Sequence, residues 1–373
     1  MSAPVPKVEP LGRLLGSASV VIACGPGGVG KTSVAAALAV AAAERGRRVC
    51  VLTIDPARRL AQALGLDGLG NEPTPVEGLA GGRLDAMMLD VRRTFDDLVR
   101  RTAPSPGQAD AIIATPMYQR LASFGGTQEF MAAEKLHQLH ASGRWDLLVV
   151  DTPPTRSALD FLDAPDRMLE LLRSRMGSLT GPVRSLRGVL RGLGLAATPL
   201  TQLVGRVVGT DLLAEVTKFL GAIEGMYDDA RERANKVRDL LRAPETAFVV
   251  VATPDESALW EAAFLAGRLG ADRLRLGAVV VNRVHRAADL PKVSPAARKA
   301  LAAAKRDQGA RLLGALLDAH RRQATLATAE RKRIGGLLAA APGAGAAQVQ
   351  VPLLGEDPTD LPGLRALAGY LLA

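Results

Sequence analysis

The stretch ACGPGGVGKTS, Ala23 to Ser33, most narrows what this chain can become. It fits the template G-x-x-x-x-G-K-[ST], read here as Gly25, Pro26, Gly27, Gly28, Val29, Gly30, Lys31 and Thr32, with Ser33 following. The apolar run SVVIACG (19–25) leads into it and an Ala-rich segment (32–44) follows it. A strand, a glycine-rich loop and a helix in that order build a phosphate cradle. The glycines let backbone N–H groups converge, and the helix N-terminus adds its positive end. In such a loop Lys31 neutralises β- and γ-phosphate oxygens, and the Thr32 hydroxyl is placed to ligate Mg2+. The pattern therefore predicts a nucleoside triphosphate with Mg2+ as the bound species.

The rest of the chain repeats the strand signal. The runs at 47–55 (RRVCVLTID), 85–90 (DAMMLD), 145–155 (WDLLVVDTPPT), 245–253 (ETAFVVVAT), 276–284 (LGAVVVNRV) and 348–354 (QVQVPLL) are short and apolar. Helical segments separate most of them, which predicts a parallel, doubly wound sheet buried on both faces. From 157 to 243 the strand signal stops. Val183, Leu186, Val189, Leu190 and Leu193 keep helical spacing with Arg184, Arg187 and Arg191 interleaved, and Leu212, Val216, Phe219, Leu220, Ile223 and Met226 share a second face. The expected organisation is an ATPase core in parts (1–156, 244–290, 343–373), interrupted by a helical insertion (157–243) and a basic helical segment (291–342).

No uncharged apolar run reaches the roughly 18 residues of a spanning helix. MSAPVPKVEP has no apolar stretch behind a basic start, so no secretory signal is expected. The two cysteines, Cys24 and Cys50, sit in strand-like runs and read as free buried thiols, which points to the cytoplasm. Net charge is +9, but only 9 of the 47 basic residues are Lys and the charge is diffuse. With 3% aromatics there is no stacking platform, which argues against nucleic-acid binding.

Two carboxylates end strands where nucleotide hydrolysis needs them. Asp151 closes LLVVD and is expected to reach Mg2+ through water. Asp55 closes VCVLTID and opens the turn Asp55-Pro56-Ala57, where a carboxylate can orient an attacking water. Taken alone, either also fits a turn or helix-capping acid.

Together, GPGGVGKTS, TIDPARRL and VVDTPPTRSALDFL resemble the arsenite-pump ATPases and the guided-entry ATPases for tail-anchored proteins, which share a deviant phosphate loop. The resemblance implies a P-loop NTPase fold and a dimer that binds ATP with Mg2+ and switches on its hydrolysis. It implies a switch I at Asp55 to Leu60 with Asp55 as the catalytic water-orienting residue beside Lys31. It also implies a switch II at Asp151 to Thr155 with Phe161 and Leu162 downstream. PDESALWEA puts Asp255 near the nucleotide, VVVNRV makes Asn282 the adenine-reading residue, and Pro352-Leu353-Leu354 border the base.

The resemblance also exposes a departure. The family loop carries a lysine at the position of Pro26, which reaches across the dimer to the partner's nucleotide. Pro26 has no cation to deliver, so a heterodimer with a lysine-bearing homologous subunit is favoured over a homodimer. Arg58 or Arg59 substituting for that cation, and a weak nucleotide-sensing scaffold, are the alternatives, with a DNA-binding partitioning ATPase a more distant one. No C-x-x-C pair exists to form a zinc clasp, and two separated cysteines argue against an arsenite site. The helical insertion could hold a hydrophobic-helix or membrane-protein client, or simply form a subdomain core.

Overall fold

A computed structural model describes residues 10–55, 59–115, 118–119, 127–152, 227–286, 308–340 and 346–373. The Asp55–Leu60 turn is therefore described only at Asp55, Arg59 and Leu60. Pro153, Pro154, Thr155, Phe161, Leu162 and most of the 157–243 insertion lie outside the described residues.

Eight strands form one sheet: β1 (Val20–Cys24), β2 (Arg48–Thr53), β3 (Thr74–Pro75), β4 (Arg83–Met88), β5 (Leu147–Asp151), β6 (Thr246–Ala252), β7 (Leu276–Val284) and β8 (Ala347–Pro352). Their order across the sheet is β3-β4-β2-β5-β1-β6-β7-β8. Every pairing is parallel except β3 with β4. The mostly parallel sheet bears out the expected fold class. The run at 85–90 ends differently from a strand through Asp90. β4 stops at Met88, and the Asp90 carboxylate accepts the Arg93 N–H at 2.9 Å as the N-cap of the next helix. β3, two residues long, left no signal in the sequence.

Strand residues alternate between two cores. Val21, Ala23, Val49, Val51, Leu147 and Val149 face α1 (Pro10–Ser17), α2 (Lys31–Glu44) and, at the chain's end, the helix over Leu361–Leu371. Ile22, Cys24, Leu52, Leu148, Val150 and Phe248 face the opposite layer. Numbered in order, the helices after α2 are α3 (Arg59–Ala63), α4 (Val91–Thr102), α5 (Pro106–Ile113), α6 (Thr127–Ala141), α7 (Tyr227–Arg242), α8 (Glu256–Ala271), α9 (Gln308–Ala340) and α10 (Leu361–Leu371). With layers on both sides, the strands must be apolar throughout, which is why they read as unbroken hydrophobic runs.

α2 is buried all round from Val34 to Ala43. Alanine lets it lie close against the sheet and α10 while keeping high helix propensity. Arg47 staples α1 to the sheet: its guanidinium donates to the carbonyls of Leu15, Ala18 and Asp146. Cys24 and Cys50 are free and buried, and burial pushes both thiols up to about 12. They are structural thiols, not reactive ones. Among the described residues no helix is long and apolar enough to cross a membrane.

Because the strands are parallel, the loops after β1, β2, β5, β6 and β7 emerge at one edge of the sheet. β5 lies between β1 and β2, with Ala23 and Thr53 both paired to Asp151. That register gathers the functional residues.

Candidate nucleotide site

The loop from Gly25 to Gly30 leaves β1 and delivers α2, which begins at Lys31. Two glycines are there for space. A Cβ on Gly25 would lie 2.1 Å from the Val251 carbonyl oxygen, and one on Gly30 would lie 2.4 Å from Asn282 Nδ2. Gly30 also has φ +94°, the left-handed region where side chains are strained. Pro26 is buried, and its carbonyl accepts the Lys31 ammonium at 2.7 Å. Lys31 therefore arches back over its own loop. Burial lowers its pKa, against the pull of Asp151 and Asp55, which hold the charged form.

Asp151 is the centre of the site. Its Oδ2 accepts two hydroxyls, Thr32 at 2.8 Å and Thr53 at 2.9 Å. Its Oδ1 is buried and has no hydrogen-bond partner among the described residues. Burial raises the Asp151 pKa to about 6, while the two hydroxyls and Lys31 oppose the shift and Asp55 adds to it. A buried carboxylate oxygen left open beside a strand-end threonine suits a hydrated divalent cation, so the residues fit Mg2+. Thr152 closes the strand end, donating its hydroxyl to the Ala23 carbonyl at 2.8 Å.

Asp55 follows β2, and its N–H donates to Thr53 Oγ1 at 3.2 Å. The carbonyl just before it, on Ile54, accepts Gln128 Nε2 from α6 at 3.1 Å. Thr53 thus links the Asp151 carboxylate to the Asp55 backbone, and α6 holds Ile54 from behind.

A cavity of about 410 Å3 opens beside these groups, lined among others by Lys31, Thr32, Asp55, Arg59, Arg283 and Asp357; Asp151 is fully buried, bonded to Thr32, and is not part of that wall. It continues into a small space bordered by Asn282, Pro352, Leu353 and Leu354, sharing Gly30, Ser33, Arg283, Asp357 and Pro358 with the first. The Asn282 amide donates to the Val29 carbonyl at 2.9 Å, which ties the end of β7 to the loop. A polar end with Lys31, Arg59 and Arg283 and a narrow end with apolar walls complement the anionic phosphates and the base of a nucleotide.

Gly28, Gly30, Lys31, Thr32, Ser33 and Asp55 thus line one cavity, and Asn282 and Pro352 border its extension. Gly25, Pro26, Gly27 and Val29 shape the loop behind. Asp255 stands apart: it is exposed at the N-terminus of α8, accepting the Thr253 hydroxyl at 2.8 Å, and does not line the cavity. Arg58 lies outside the described residues, whereas Arg59 lines the cavity. Sequence reasoning missed Thr53, Gln128, Arg283 and Asp357. Thr53 becomes visible once β2 is paired with β5, and the others only in three dimensions. A larger cavity, about 560 Å3, lies against α6 and α7 around Glu134 and Arg233. It contains no part of the loop, so size alone does not mark the nucleotide site.

Comparison with known proteins agrees with this geometry. The family model described as anion-transporting ATPase matches residues 18–308. The chain is 29% identical over 269 residues to the ATPase ARSA2 of Chlamydomonas reinhardtii, covering 70% of this chain and 66% of that one. It is 29% identical over 264 residues to the ATPase GET3 of Podospora anserina, covering 70% and 71%. An uncharacterized protein of Streptomyces coelicolor, SCO2128, is 35% identical over 189 residues, covering 50% and 47%. The match spans just under two thirds of the algal protein and about half of the streptomycete one. With a matched span that runs from ahead of β1 to the first residue of α9, the chain belongs to the anion-transporting ATPase family.

Proposed function

We propose that this chain binds ATP with Mg2+ in the 410 Å3 cavity and hydrolyses it as one subunit of a dimeric switch. The observation that supports this best is Asp151, with Oδ2 held by Thr32 and Thr53 and Oδ1 left open. Thr32 and, through water, Asp151 would hold Mg2+, which when bound neutralises charge on the phosphate oxygens. Lys31 exchanges the Pro26 carbonyl for phosphate oxygens. Asp55 orients the water whose oxygen bonds to the γ-phosphorus as the bond to the β–γ bridging oxygen breaks, giving ADP and phosphate. Asn282 and Pro352 take the adenine. In the same reading Asp255 is the acidic residue that the family resemblance puts near the nucleotide.

The partner in this reading is a homologous subunit that carries a lysine where this chain has Pro26. The switch acts in the cytoplasm on a protein or membrane-associated client, through the 157–243 insertion. A second reading, a nucleotide sensor with little turnover, draws on the same proline: position 26 is buried and carries no cation.

Steady-state ATP hydrolysis by wild type and Pro26→Lys, with the mass of each in solution, tests these readings. Trans-acting cations are worth roughly 10³–10⁵ in rate. A slow wild type accelerated by Pro26→Lys within a dimer supports the lysine-bearing partner. A brisk wild-type homodimer removes the need for one. Nucleotide binding with no turnover in either form favours the sensor.

A further inference from the structure

Resting on the nucleotide reading of the cavity, we propose that Arg283 is this chain's own second cation for the nucleotide's phosphates, supplied in cis from the end of β7. Arg283 has φ +61°, and among the described residues only one other non-glycine residue, Arg273 in the turn after α8, has positive φ. The unusual backbone coincides with a slip in the β7–β8 register between Val281 and Val284. A bulge of this kind re-aims the side chain it carries, and left-handed strain at a non-glycine residue collects at functional sites.

The side chain is aimed at the loop. The Arg283 N–H donates to Asn282 Oδ1 at 3.0 Å, so its backbone is fixed to the residue that ties β7 to Val29. Its guanidinium donates to the Gly28 carbonyl at 3.2 Å and lies 3.8 Å from Asp357 Oδ1. Gly28 is a neutral partner. The Asp357 carboxylate is 81% exposed, so the ion pair is weak in water. The result is a poorly neutralised guanidinium on the wall of the cavity that also holds Lys31, Thr32 and Asp55. Position 26 offers a proline, and Lys31 is the loop's only charged side chain. A planar fork beside the loop backbone suits phosphate oxygens, and the change needed is a small swing away from Gly28.

The bland alternative is that Arg283 merely latches the loop to β7. Two variants separate charge from latch. Arg283→Gly removes the guanidinium but keeps the bulge, because glycine adopts this φ freely. Arg283→Lys restores a cation without the fork. ATP binding with Mg2+ is measured by titration calorimetry for both and for wild type, at low and high salt. Arg283→Gly is expected to lose about tenfold or more in ATP affinity. Its affinity should also depend less on salt, and Arg283→Lys should recover most of the loss. Wild-type affinity in Arg283→Gly overturns the proposal. So does a lysine variant as weak as the glycine variant, since the loss then lies in the latch. If wild type itself does not bind ATP, the nucleotide reading falls and this inference with it; if wild type binds and Arg283→Gly binds equally, only this inference falls.

Discussion

Thr53 Oγ1 donates its proton to Asp151 Oδ2 at 2.9 Å and itself accepts the Asp55 N–H at 3.2 Å. One hydroxyl thus links the end of β2 to the end of β5. Thr53→Val keeps the branched shape and removes both bonds. It is expected to cost about 1–3 kcal/mol in urea unfolding, the penalty for leaving buried polar groups unpaired. With one of two hydroxyl donors gone, the Asp151 pKa moves further up. Mg2+-dependent turnover in Thr53→Val should therefore need a higher pH than in wild type, which a pH–rate profile reads directly.

Asp151 itself carries a pH signature. Its folded pKa, about 6, lies above its ordinary 3.8, chiefly because burial disfavours the charge. The folded state therefore holds the proton more tightly than the unfolded chain. The contribution to stability is greatest below pH 3.8 and is lost as pH rises through 6. A shift of this size corresponds to about 3 kcal/mol. Asp151→Asn, whose amide oxygen can still accept both threonine hydroxyls, should make the nucleotide-free protein more stable at pH 7.5. The gain should shrink towards pH 5, and the rise in melting temperature on adding Mg2+ and ATP should disappear. Urea midpoints at the two pH values decide it, and a less stable variant at pH 7.5 would show that the charge is not a burden.

Much of this was legible in the chain because the strands are buried on both faces. SVVIACG, VCVLTID and LLVVD had to be continuous apolar runs, and each ends where a loop must meet solvent. The phosphate loop declared itself because glycine spacing and the following lysine have no cheaper explanation. What the sequence could not supply was register. Thr53 is an ordinary strand threonine until pairing sets it opposite Asp151, and Arg283 follows Asn282 as one more arginine among many. Asp255 is expected near the nucleotide only through the resemblance of PDESALWEA to a family segment. Its position is also that of a helix N-terminus, and there it sits, bonded to Thr253.

Gly30 joins the two halves of the cavity. Its φ of +94° and the 2.4 Å approach to Asn282 Nδ2 both exclude a side chain. Gly30→Ala should lose roughly 1–3 kcal/mol of stability through backbone strain. It should weaken ATP binding as well, since Asn282 must leave the Val29 carbonyl. Adding Asn282→Ala clears the space but not the strain. The double variant should therefore regain part of the stability and none of the affinity. Equal stability of Gly30→Ala and the double variant would place the whole cost in the backbone.

Lys31 is a second buried charge that the site keeps at a cost. Lys31 is only 6% exposed, and burial pulls its pKa down while Asp151, Asp55 and Glu261 hold it up. Its one hydrogen bond in the described structure is to the Pro26 carbonyl, a neutral group that does not repay the burial of a charge. Lys31→Met keeps the length of the stem and removes the charge. Folding stability should hold or rise, because an expensive buried cation is gone and the stem still packs against the loop. Turnover should fall by about a hundredfold or more, the scale for removing a single donor from a transition state. The Asp151 pKa should rise, since Lys31 helps to hold that carboxylate ionised. Melting temperature and turnover measured on the same preparation therefore move in opposite directions if Lys31 serves the phosphates, and fall together if it serves the fold.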